Sequence, residues 1–133
     1  MESGKTKRRF TRYTVYDLPS LTLKLKYEHQ NERLLNLSLG GCGFHDLTKN
    51  ENLKFQKRLW LAFSFPGVLK KSIEIQGYLI HETRIDLGEN NVIYYGVEFI
   101  LAMRDRMNPL INELEKLAQA GKVQTDRTQR VSI

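Results

Sequence analysis

Residues 20–28 alternate strictly, with Leu21, Leu23, Leu25 and Tyr27 on one face and Thr22, Lys24 and Lys26 on the other. A period of two fits a strand with one buried and one wet face, and it does not fit a helix. The same period returns in short runs along most of the chain. Residues 32–38 read as a second strand, with Gln30 and Asn31 as a hairpin tip. Residues 43–47 form a short third strand after a cluster of glycines, Gly40, Gly41 and Gly43. Residues 57–65 carry Leu59, Leu61, Phe63 and Phe65 on one face and stop at the turn pair Pro66 and Gly67. Residues 72–83 place Ile73, Ile75 and Leu79 together, residues 86–91 read as a loop, and residues 92–100 form a last β-rich run. Six strands at this spacing predict a mainly β fold, a small six-stranded antiparallel barrel. Trp60 is out of phase with the apolar face of its strand, so it is either exposed to a partner or buried under another element.

The period then changes. Leu110, Ile111, Leu114, Leu117 and Ala118 make one helical stripe, which predicts a C-terminal α-helix. Either Asn108 caps it with Pro109 at the first helical position, or it starts near Arg104 with Pro109 in an early turn. Gly121 is the expected stop. A chain of 133 residues suits one domain. Its expected parts are a basic arm over residues 1–12, the barrel and helix over 13–120, and a polar, fraying tail over 121–133.

Charge is uneven. Twenty-one basic residues oppose fifteen acidic ones, a net +6, and Lys5, Lys7, Arg8, Arg9 and Arg12 crowd the first twelve positions against Glu2 alone. Such an arm attracts phosphate ligands, nucleic acid or an anionic membrane surface. One cysteine, Cys42, rules out an internal disulfide and fits a reducing cytoplasm. Cys42 and His45 lie three apart on a strand and so face opposite sides, which leaves the thiol without a base and argues against a nucleophile. The three histidines, His29, His45 and His81, lack metal-ligand spacing, and no phosphate loop, nucleophile elbow or dinucleotide fingerprint is present. No apolar run reaches membrane-span length. A cytoplasmic, non-enzymatic chain without metal or cofactor is expected.

Two motifs carry the chemistry. Arg8 and Arg12 are spaced R-x-x-x-R in the arm, and Asn36, Ser38 and Gly41 are spaced N-x-S-x-x-G at the end of the second strand. Guanidinium forks bind phosphate bidentately and read guanine edges. The glycines let a ligand approach the backbone, and Gly41 is expected to need a positive φ. In that order and on that strand pattern the two motifs resemble the two-part signature of the PilZ domain family. Gly96 and Phe99 resemble its G-x-x-F segment on the last barrel strand.

The resemblance covers nearly the whole chain and implies a PilZ-type barrel that receives cyclic di-GMP. It implies that Arg8 and Arg12 grip phosphate and guanine with Arg9 in support, and that Asn36, Ser38 and Gly41 meet the nucleotide. Gly40 and His81 are further candidates, with His81 either stacking on guanine or merely a partly exposed strand residue. Asn36 stands where the family more often has Asp, so it offers one acceptor and no charge. Lys7, just before the motif, resembles the choice that favours two mutually intercalated ligand molecules. Binding is expected to order the arm and signal to a downstream protein partner. A small barrel for single-stranded nucleic acid is the alternative, disfavoured because the aromatics fall at core-phase positions. A ligand-free protein adaptor is the other.

Overall fold

A computed structural model describes residues 10–26, 31–46, 58–87 and 90–127 of the chain. The alternating runs become β2 (Thr22–Leu25), β3 (Arg33–Leu37), β4 (Gly41–His45), β5 (Arg58–Ser64), β6 (Ile73–Leu87) and β7 (Asn90–Phe99). Two short strands, β1 (Tyr13–Thr14) and β8 (Gln124–Thr125), bring the total among the described residues to eight rather than the expected six. A strand of two residues contains no period to detect. All eight join one antiparallel sheet in the order β2-β5-β6-β7-β4-β3-β1-β8. The sheet curls until a bridge between Leu23 and Glu32 ties β2 back to β3, with the Glu32 N–H donating to the Leu23 carbonyl at 2.8 Å.

The inward face is the apolar face the sequence predicts. Leu23, Leu61, Phe63, Ile75, Phe44 and Phe99 are all buried, and Phe63 and Phe99 meet edge to face with centroids 5.9 Å apart. The stretch expected to loop over residues 86–91 is mostly strand, because β6 and β7 stay paired down to Leu87 opposite Asn90. Tyr27 and Gln30 lie outside the described residues. Trp60 is half-buried on the outer face of β5, where Lys26 Nζ sits 5.5 Å from its ring centroid. It is therefore not under the helix.

After β7, a 3₁₀ turn (Leu101–Met107) leads into α1 (Asn108–Gln119). Met107, not Asn108, is the cap, and no side chain caps this end; Pro109 lies in the first turn, where its missing N–H costs no hydrogen bond. Leu110 and Leu114 enter the common core. The stop at Gly121 is as expected. Gly121 takes a φ of 77°, its N–H donates to Ala118 O at 3.0 Å, and Lys122 N–H donates to Leu117 O at 2.8 Å.

The expected fraying tail is corrected as far as Arg127. Val123 is 5% exposed, Thr125 is 2% exposed, and β8 pairs with β1 through Tyr13 opposite Thr125. One buried valine and one backbone pairing hold a segment whose composition looks polar. The Tyr13 hydroxyl donates to Glu115 Oε1 at 2.6 Å, and Arg127 pairs with the same oxygen at 2.6 Å. Burial and then the Glu115 bond push the Tyr13 hydroxyl up to about 12. Among the described residues no helix is long and apolar enough to cross a membrane.

A buried anchor and an exposed neighbour should separate cleanly. Val123→Asp is expected to cost more than about 2 kcal/mol in chemical denaturation, whereas Gln124→Asp stays within about 0.5 kcal/mol of the parent. Equal effects would mean that this segment does not contribute to the core.

Candidate functional site

Strict alternation along β3 would send Asn36 inward with Leu34. A bulge at Leu35 prevents this: Leu34 pairs with Phe44, Asn36 with Gly43, and the register slips by one residue between them. Leu34 and Leu37 are both buried, and Asn36 turns to the outer face. The same device operates on β6. Leu79 pairs with Val97 and His81 with Gly96, so Ile80 is the extra residue and His81 turns outward. Ile80 is left 62% exposed.

These two slips align one row across four strands. Asn36 faces Gly43, Gly43 faces Gly96, and Gly96 faces His81. At ordinary strand spacing the row places the Asn36 and His81 backbones roughly 14 Å apart over a floor of two glycines. A floor without Cβ atoms admits a flat group close to the backbone. Tyr94 lies over part of that floor, since a Cβ on Gly43 would collide with its ring and hydroxyl. His45 and His81 flank Tyr94 edge-on, with centroids 6.1 and 6.0 Å away. His81 Nε2 and Thr83 Oγ1 are hydrogen-bonded at 2.6 Å. Burial first and the nearby Arg33 second hold the His45 imidazole below its usual pKa, which favours the neutral ring.

The turn between β3 and β4 forms one end of the row. Ser38 N–H donates to Gly41 O at 2.9 Å, and Gly40 N–H donates to Ser38 Oγ at 3.1 Å. Gly41 does not have the positive φ expected of it; among the described glycines only Gly67 and Gly121 do. It must be glycine because a Cβ would strike the Val97 carbonyl on β7. A Cβ on Gly40 would instead meet the Phe10 ring.

A cavity of about 420 Å³ spans this surface and collects Arg12, Asn36, Ser38, Gly40, Gly41 and His81. Arg12 arrives just before β1, where its N–H donates to Asp126 Oδ1 at 3.5 Å and its carbonyl accepts from Asp126 N–H at 3.2 Å. Lys7, Arg8 and Arg9 lie outside the described residues. Phe10, Tyr94, Glu98 and Arg104 also line the cavity and escaped the sequence reading. Phe10 sits inside R-x-x-x-R, and Glu98 lies two residues after Gly96 on the outward phase; both positions were legible in principle. Cys42 touches the cavity but is buried, and burial drives its thiol pKa strongly upward, against any nucleophilic role.

The chemistry on offer is recognition. Cations, amide and hydroxyl groups, aromatic rings and bare backbone surround an open hollow, suited to a flat, anionic, hydrogen-bonding ligand. A family model, PilZ domain, matches residues 6–118. No curated protein sequence gives a significant match. The PilZ domain with c-di-GMP of YcgR from Escherichia coli is similar at 20% identity and TM-score 0.61, covering 87% of this chain and 97% of that one. The K. pneumonia MrkH–c-di-GMP complex is similar at 18% identity and TM-score 0.66, covering 88% of this chain and 56% of that one. The Borreliella burgdorferi PlzA protein in complex with c-di-GMP is similar at 8% identity and TM-score 0.53, covering 83% and 52%.

The two turn glycines should respond differently. Gly41→Ala forces backbone apart and is expected to cost about 1–3 kcal/mol in thermal or chemical unfolding. Gly40→Ala needs only the Phe10 ring to move and should cost less than about 1 kcal/mol. The reverse order would contradict the packing described for this turn.

Proposed function

The chain belongs to the PilZ domain family, and from that premise we propose that it is a non-enzymatic receptor for cyclic di-GMP. The observation that carries the reading is the single cavity where Arg12 meets Asn36, Ser38 and Gly41, the two motif halves being 24 residues or more apart in sequence. Arg12 supplies a guanidinium fork for phosphate or a guanine edge. Asn36 and the Ser38 turn supply hydrogen bonds, and the glycine row lets a base lie flat. Arg8 and Arg9, a few residues before Arg12 in sequence, add charge, and Gly40 and His81 edge the seat.

The output follows from the arm. Its cations repel one another until a doubly charged ligand neutralises them, so binding folds the arm across the outer face and creates a surface for a downstream protein. Lys7 joins Arg8 and Arg9 in a run able to balance the four charges of two mutually intercalated ligand molecules. The proposed stoichiometry is therefore two ligands per chain, in a cytoplasmic setting.

Titration calorimetry with cyclic di-GMP, and GTP as control, tests this directly. Tight binding of cyclic di-GMP alone is expected, saturating at two per chain and weakening steeply with salt. Arg12→Ala should lose about 1.5–3 kcal/mol of binding while its melting temperature hardly changes. Asn36→Asp should bind as well as the parent or better if Asn36 faces guanine donors. A parent protein that does not bind, or an Arg12→Ala variant that binds undiminished, would refute the receptor reading. Saturation at one ligand, unchanged by Lys7→Ala, would refute only the stoichiometry.

A further inference from the structure

Glu98 and Arg104 bring opposite charges to one wall of the cavity. Glu98 projects from the outer face of β7, where it pairs with Gly41 of β4. Arg104 comes from the 3₁₀ turn, outside both sequence motifs. Its Nη2 is 3.6 Å from Glu98 Oε2, its Nε donates to Phe99 O at 3.3 Å, and its guanidinium lies 5.5 Å from the Phe10 ring centroid. Three contacts orient one fork. The Arg104 side chain is 14% exposed and that of Glu98 is 55% exposed. An ion pair with so open a partner adds little stability.

A carboxylate beside a guanidinium is, however, a template for one base. Around the rim of guanine the order is N2–H2 and N1–H, both donors, then O6 and N7, both acceptors. The carboxylate accepts from the first two, and the guanidinium donates to the last two. Adenine presents C–H, an N1 acceptor, an N6–H2 donor and N7 along the same rim, so it mismatches both partners.

Resting on the reading of this cavity as a cyclic di-GMP site, we propose that Glu98 and Arg104 together read a guanine of the ligand and set the preference for guanine over adenine. Asn36, on the far strand of the row, carries one carbonyl acceptor, and the paired acceptor that N1–H and N2–H2 require comes from Glu98. Arg104 also neutralises Glu98, which lets a carboxylate stand beside an anionic ligand without net repulsion.

The test titrates parent, Glu98→Gln, Arg104→Met and the double variant with cyclic di-GMP and with cyclic di-AMP, each with a melting curve. Glu98→Gln should reduce the preference for the guanine ligand about tenfold or more, through weaker cyclic di-GMP binding rather than lost folding. Arg104→Met should bind cyclic di-GMP more weakly than the double variant, because it alone leaves Glu98 unneutralised. Single variants that melt like the parent and keep its full guanine preference would overturn the assignment. If Arg104→Met does not fold, Glu98→Gln decides, since its side chain is largely in solvent. A parent that binds neither ligand would sink the receptor reading and this pair with it. A parent that depends on Arg12 but is indifferent to Glu98 and Arg104 would sink the pair alone.

Discussion

Backbone pairing across β3, β4, β7 and β6 is the constraint on which the site depends. In a sheet with one buried face, a slip of one residue moves every later side chain to the other face. Here β3 slips once at Leu35 and β6 once at Ile80, while β4 and β7 between them run without a break. The slip in β3 keeps Leu34 and Leu37 in the core and turns Asn36 outward, and the slip in β6 turns His81 outward. Asn36 and His81 therefore end the same row, with Gly43 and Gly96 between them. Removing the β3 bulge would bury Asn36 at a cost of a few kcal/mol, and removing either bulge would erase one edge of the hollow.

Arg12 is held in place by residues far along the chain. Asp126 bonds both backbone groups of Arg12, β8 pairs with β1, and β1 pairs with β3 so that Thr14 lies opposite Asn36. The strand that positions Asn36 is thus also the strand on which β1, directly after Arg12, is registered. Glu115 of α1 binds Tyr13 and Arg127 together, so the helix, β1 and β8 share one polar clamp. Charge on the arm is a property of the sequence, but the position of Arg12 at the cavity depends on this pairing of β1 and β8.

Most of the fold was legible because half-buried strands and an amphipathic helix impose periods on the sequence. The six long strands, the helix stripe and the Gly121 stop all follow from such periods. β1 and β8 were not legible, since two residues hold no period and a single buried valine reads as noise in a polar segment. The motif pair pointed to Arg12, Asn36, Ser38 and Gly41, which share the cavity. The reason for Gly41 was misread: a collision with Val97, which only the fold brings near, replaces the expected positive φ. Tyr94 and Arg104 were missed for the same reason. Their meeting depends on register and on a 3₁₀ turn, and neither has a local signature.

The row from Asn36 to His81 is the proposed ligand seat. Backbone amide shifts recorded during addition of cyclic di-GMP test it most directly. The largest changes are expected at Ser38, Gly40, Gly43, His81 and Gly96, with little change at Lys24, Trp60 and Ala62 on the outer face of β2 and β5. Changes concentrated around Trp60, with the glycine row unmoved, would contradict it.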